Sequence, residues 1–190
     1  MTDSPAPAIP AGYALAHRFV LTERRALLWM NVIGTVAFVI VLAAAFVLLT
    51  LYIRIGAPLV IRTLPETLPP LIYLIAVVLT LVVHEGLHGL AILLTGNRPR
   101  FGAKWSRFLL YTTSDANFTR GEYLGVTLAP LLGISAAGLV AMLLTPPVLG
   151  MWLAVLVSLN AASSLGDVWM TAVITSFPRT ALFHDEEDGM

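Results

Sequence analysis

The chain has 190 residues, 58% of them hydrophobic and 12% charged, with 11 basic residues against 11 acidic ones and no cysteine. An ordinary soluble domain has roughly 45–50% apolar and 25% charged residues, so this is a membrane composition. The balanced charge supplies no basic field for nucleic acid, and the lack of cysteine excludes disulfides and thiolate metal sites, leaving His, Asp and Glu as metal ligands.

Residues 1–12 are rich in proline and alanine and lack the basic start, apolar core and cleavage pattern of a signal peptide. They are expected to be a disordered tail, so that residues 1–28 form a tail and juxtamembrane segment. Four apolar stretches then follow, each long enough to cross a core of about 30 Å, which takes roughly 20 helical residues. The first predicted helix spans about 29–53 and carries no charge. The second starts at Pro70, runs to Thr95 and stops at Gly96-Asn97 before Arg98-Pro99. The third follows Thr119-Arg120-Gly121-Glu122, which has capping-box spacing, and ends before Pro146-Pro147. The fourth spans about 149–177, up to Pro178. Residues 29–177 thus read as one all-α, polytopic membrane domain, followed by an acidic tail at 178–190.

The linker between the second and third helices, 97–121, alternates polar and aromatic residues and suits either a short hairpin or an interfacial segment. Basic residues cluster before the first helix (Arg18, Arg24, Arg25) and in this linker (Arg98, Arg100, Lys104, Arg107, Arg120). By the positive-inside rule both termini and the linker are expected in the cytoplasm, in the cell membrane of a prokaryote; Arg54 and Arg62 on the opposite side run against this.

Only the second helix carries His84-Glu85-Gly86-Leu87-His88. Residues four apart share one helix face, so His84 and His88 can offer two imidazoles to one ion. In zinc hydrolases with this spacing the glutamate takes a proton from water, whose pKa the zinc lowers to about 7; Glu85 is therefore the expected general base and Zn²⁺ the expected cofactor. An ionised group at the centre of a spanning helix costs about 2.5–3.5 kcal/mol, so such groups usually have a function. The bland alternative is a hydrogen-bonded His–Glu cluster between helices.

A catalytic zinc generally has a third protein ligand and one open position. Asp167 is the only acidic residue in the fourth helix and lies on a stripe with Asn160, Ser163 and Ser164. At about 1.5 Å per residue, His84, His88 and Asp167 lie roughly 21, 27 and 27 Å from the outer starts of their helices, at one depth near the cytoplasmic face. His17, and His184 in the acidic run 184–188, have no second imidazole at ligand spacing and read as solvated tail. Glu122 reads as a cap and Asp115 as a turn residue, while Trp29, Tyr52, Tyr73, Tyr123 and Trp152 read as interfacial anchors.

The motif His-Glu-Gly-Leu-His-Gly on an apolar helix, Leu-Ala-Pro-Leu-Leu at 128–132 and Asn-Ala-Ala-Ser-Ser-Leu-Gly-Asp at 160–167 resemble the putative zincin peptidases, over about 79–173. The wider resemblance is to the site-2 proteases, intramembrane metalloproteases with a three-helix core that the second to fourth helices match in order. It implies His84, His88 and Asp167 as zinc ligands, Glu85 as general base and Asn160 as a substrate-binding or oxyanion-side donor. The third motif departs from the site-2 pattern, with Ser163 and Ser164 where a proline is expected and Val168 in place of a glycine. The expected function is zinc-dependent cleavage of a peptide bond in or beside a membrane segment, with a membrane protein as substrate and the bilayer as surroundings. The alternatives are a catalytically silent zinc scaffold, and an ion relay that would need a homo-oligomer.

Overall fold

The computed structural model describes residues 9–16, 24–104 and 109–185. The expectations placed on residues 1–8, on His17 and Arg18, on Arg107, and on residues 186–188 lie outside them. The element order is α1 (Arg24–Arg54), α2 (Pro70–Leu94), β1 (Arg100–Lys104), β2 (Leu109–Thr113), β3 (Asn117–Thr119), α3 (Arg120–Leu144), α4 (Pro147–Ser163), α5 (Leu165–Ser176) and β4 (Leu182–His184). Among the described residues α1 (from Leu28), α2 and α3 are long and apolar enough to cross a membrane, and the α4–α5 pair makes a fourth if it counts as one span.

Local chemistry sets the helix ends. Prolines at the first positions of α2 and α4 supply the preset φ and lack only an amide hydrogen that would have no partner there. At the end of α2, Gly96 takes a φ of 82°, the Gly96 N–H donates to Leu93 O at 2.9 Å and the Asn97 N–H donates to Ile92 O at 3.3 Å. This is the Schellman pattern, which glycine permits because it has no Cβ. The capping box at α3 is present: Thr119 N–H donates to Glu122 Oε2 at 2.8 Å and Glu122 N–H donates back to Thr119 Oγ1 at 3.4 Å. Hydroxyls within the helices bond back one turn, as Thr80 Oγ1 does to Ala76 O and Ser158 Oγ to Ala154 O. A polar side chain in hydrocarbon thereby keeps a partner.

The burial pattern inverts that of a soluble helix. On α2 only Thr80, His84, His88, Gly89 and Ile92 are buried, while Leu71, Val78, Leu90 and Leu94 stand exposed. A lipid solvent leaves apolar side chains outside and gathers the polar ones within.

α1 packs chiefly on α4, and α3 packs on both α4 and α2. Glycine brings α3 and α4 together: a methyl group on Gly138 would strike the Val157 side chain. Gly138→Ala should therefore destabilise the bundle by about 1–3 kcal/mol, read as an earlier midpoint in detergent unfolding.

The structure changes two of the sequence expectations, for the fourth helix and for the tail, and decides the linker in favour of the hairpin. The fourth predicted helix is two, bent by 43° around Ser164, where a Ser-Ser-Leu-Gly run interrupts the apolar pattern. The linker contains a hairpin, with β1 pairing antiparallel to β2 from Arg100↔Thr113 to Lys104↔Leu109, and Asp115 at its base pairs with Arg100. His184 is not solvated tail: β4 pairs antiparallel with β3, and Phe183 is 5% exposed in a cluster with Phe118, Tyr123, Ile92 and Ile174. Tyr123, 1% exposed, is accordingly core and not an interfacial anchor. Tyr52 is also buried, its hydroxyl donating to Leu143 O and accepting from Leu59 N–H to pin the α1–α2 loop. Tyr73 stacks on Trp152 with ring centroids 4.3 Å apart.

Candidate metal centre

Four helices contribute to one buried polar site. His84 and His88 occupy successive turns of the inward stripe of α2, 6% and 9% exposed, with ring centroids 5.0 Å apart and rings nearly perpendicular. Asp167 reaches both: His84 Nε2 lies 3.3 Å from Asp167 Oδ2, and His88 Nε2 lies 3.3 Å from Asp167 Oδ1. The bend at Ser164 matters here, because it places Asp167 in the first turn of a new helix. The positive end of that helix favours an ionised carboxylate.

The other ring nitrogens are held from behind. His88 Nδ1 donates to Val126 O at 2.8 Å. That carbonyl is available because Pro130, four residues on in α3, has no N–H to give it. His84 Nδ1 donates to Asn160 Oδ1 at 3.0 Å, and Asn160 Nδ2 donates to Pro130 O at 3.2 Å. Since Pro130 O can only accept, the amide orientation follows. One proline therefore serves both histidines.

These bonds settle which ring nitrogen must carry a hydrogen. Both Nδ1 atoms face oxygens that only accept, so both carry the hydrogen, and a neutral ring then presents a bare lone pair at Nε2. Two such lone pairs face a carboxylate, and Asp167 Oδ2 is buried with no hydrogen-bond partner among the described residues. Lone pairs converging in this way need a cation between them. The 3.3 Å separations exceed the roughly 2.7–2.9 Å of a charge-assisted hydrogen bond, and match the about 3.3–3.5 Å between adjacent ligand atoms of a tetrahedral zinc. The residues present fit zinc.

Asn160 is 0% exposed with both side-chain atoms committed, so it stands behind His84 and not on the open side where a substrate-facing donor would have to be. Asn160→Ala should weaken zinc binding by about 10–100-fold in a chelator competition, the usual effect of removing the partner that orients a ligand. Glu85, half-buried beside His84, is held by the hairpin: Thr112 Oγ1 shares its hydrogen between Glu85 Oε2 at 2.8 Å and Glu85 O at 3.0 Å. The hairpin can lie this close because Phe101 of β1 sets its ring against Gly89, where a Cβ would collide with it.

Beyond Glu85, the residue after β4 joins the site. Asp185 Oδ1 accepts from the Tyr123 hydroxyl at 2.9 Å and Asp185 O accepts from Thr113 Oγ1 at 3.1 Å. Burial pushes the Asp185 carboxyl up to about 7, opposed by the hydrogen bonds from Tyr123 and Thr113 and by His88; Glu85 adds to the rise. Unfolded, the group would titrate near about 3.9, so the docked segment keeps a proton that the released one loses. The contribution of Asp185 to β4 docking is thus fully present below about pH 4 and is lost as pH rises through about 7. In Ala181→Cys, the single thiol of a chain without native cysteine, labelling measured relative to a free thiol at the same pH should be slow at pH 5 and faster at pH 8. The added change Asp185→Asn should flatten that dependence.

Fold and site together define a mostly helical protein with helices long and apolar enough to cross a membrane and a His–His–Asp group able to hold a metal ion beside a glutamate. Residues 77–182, more than half of the chain, match the model of the family described as Putative zincin peptidase, and the chain belongs to that family. The match runs past the 79–173 stretch that carries the resemblance, to the first residue of β4. No curated protein and no solved structure matches the chain.

Sequence reasoning did not find Val126, Thr112, Tyr123 or Asp185. A proline inside an apolar helix was the available signal for Val126, since it marks a freed carbonyl four residues earlier. The other three become functional neighbours only through strand pairing.

Proposed function

We propose that the protein is a zinc-dependent intramembrane endopeptidase that hydrolyses a peptide bond in or next to a membrane segment of another protein. The observation that carries this reading is the convergence of His84, His88 and Asp167 on one buried point, beside Glu85, within helices of membrane-spanning length. Zinc held by those three residues would supply Lewis acidity, polarising the peptide carbonyl and making water acidic enough to ionise near pH 7. Glu85 accepts a proton from water as the water oxygen attacks the carbonyl carbon. It returns that proton to the amide nitrogen as the C–N bond breaks. Thr112 keeps the Glu85 carboxylate in place, while Asn160 and Val126 O keep each imidazole's hydrogen on Nδ1.

His88 lies six residues before the end of α2, about 9 Å by helical rise, so the site is close to one membrane face. The basic residues of the linker favour the cytoplasmic face. A substrate helix must unwind to expose an amide there, and the β1–β2 hairpin beside Glu85 offers a strand edge to receive the extended chain. The test is cleavage of a panel of single-span proteins in nanodiscs by wild type and Glu85→Gln. Cleavage by wild type alone supports the reading; no cleavage by a zinc-loaded wild type, or equal cleavage by both, overturns it.

A further inference from the structure

We propose that residues 182–185 are a positioning strap for the metal site, clamping strand β2 so that Thr112 holds the Glu85 carboxylate. The strap rests on the reading of Glu85 as general base in this last respect only.

The connections form a closed ring. Neighbouring residues of a strand point to opposite faces, so on β2 Thr112 turns to Glu85 and Thr113 turns to the strap. Thr113 Oγ1 donates to Asp185 O, and the Asp185 carboxylate takes the Tyr123 hydroxyl of α3. Tyr123 lies one turn before Val126, whose carbonyl holds His88, and His88 shares α2 with Glu85. Metal ligand, base, hairpin and α3 are therefore tied through one residue of the strap. Without it, β2 would lose the tie on its Thr113 side, opposite the face that meets Glu85.

The strap is itself built to stay. Its three-residue strand pairs with β3 from Asn117↔His184 to Thr119↔Leu182, and Phe183 is buried against Phe118, Tyr123 and Phe177. Asp185 thus sits at the end of an apolar anchor, where its position is fixed by packing and not by its own two hydrogen bonds alone. A carboxyl that is neutral below about pH 7 accepts from Tyr123 as an amide oxygen does, so asparagine is its conservative replacement.

The experiment is backbone hydrogen exchange read by mass spectrometry on the full chain in lipid nanodiscs, with zinc affinity measured in parallel by chelator competition. Losing one hydrogen bond should raise local opening about tenfold. Asp185→Ala is expected to raise exchange by that factor in β4 and equally in β2, with Asp185→Asn close to wild type. Thr113→Val, which leaves the carboxylate untouched, should do the same in β2, and is the variant to rely on if Asp185→Ala does not fold. Zinc affinity should stay within about threefold throughout, because the bonds to Asn160 and Val126 remain. Faster exchange in β4 with β2 unchanged, or loss of zinc on Asp185→Ala, would overturn the proposal. Where a cleaved substrate is available, Asp185→Ala should lower kcat about tenfold with KM unchanged, and Asp185→Asn should restore it. A wild type that cleaves nothing defeats the peptidase reading and leaves the exchange result standing.

Discussion

Purified protein should contain about one zinc ion per chain, and alanine at His84, His88 or Asp167 should each empty the site. The expectation follows from the electrostatics of the buried trio. Two imidazoles with their hydrogens on the far nitrogen and one carboxylate form a cavity lined by lone pairs, and a dication is what makes their approach favourable. Together with Glu85, Asp167 also offsets the charge of that ion, so that no uncompensated charge remains between the helices. Loss of one ligand leaves two, and the affinity should fall by more than the about 10–100-fold expected for an orienting partner such as Asn160. Elemental analysis of the intact protein and chelator competition on the variants check this. An intact wild type free of zinc after purification without chelators would remove the central assignment.

Glu85→Gln is expected to separate binding from chemistry. Glutamine is nearly isosteric and can still meet the Thr112 hydroxyl through its amide oxygen, so the fold and zinc content should hold at the wild-type level. It cannot take a proton from water. Peptide hydrolysis should therefore fall by about 10²–10⁴ in kcat, the range that a positioned general base contributes. Single-turnover cleavage of a single-span substrate, with zinc content measured on the same samples, distinguishes this from a loss of metal. A fall in activity accompanied by a fall in zinc would instead make Glu85 part of the ligand set.

Much of the site is legible from local rules. Four-residue spacing places His84 and His88 on one face whatever surrounds the helix, and the near absence of charge elsewhere in the apolar stretches singles out Glu85 and Asp167. The capping box at Thr119 and Glu122, the proline starts and the Gly96 stop are likewise properties of a few neighbouring residues, and the structure contains all of them. The bend at Ser164 is less legible. A Ser-Ser-Leu-Gly run tolerates a continuous helix in one setting and breaks in another, and here the break carries Asp167 to the imidazoles.

Apolar helices of spanning length, the motif with its spacing and a short list of groups able to hold a metal can all be read from the chain, because composition, period and cost of burial act locally. How that list is used depends on the packing of the helices and strands. Asn160 turned out to face His84 and the Pro130 carbonyl; Val126 became an acceptor through a proline four residues away meeting a histidine from another helix; Thr112 found Glu85. Asp185, in a tail whose composition reads as solvated, is bonded to Tyr123 because Phe183 carries the segment into the core. Those pairings join residues 27 to 76 positions apart, a separation at which partner choice depends on how all the elements pack and not on any pattern within one of them.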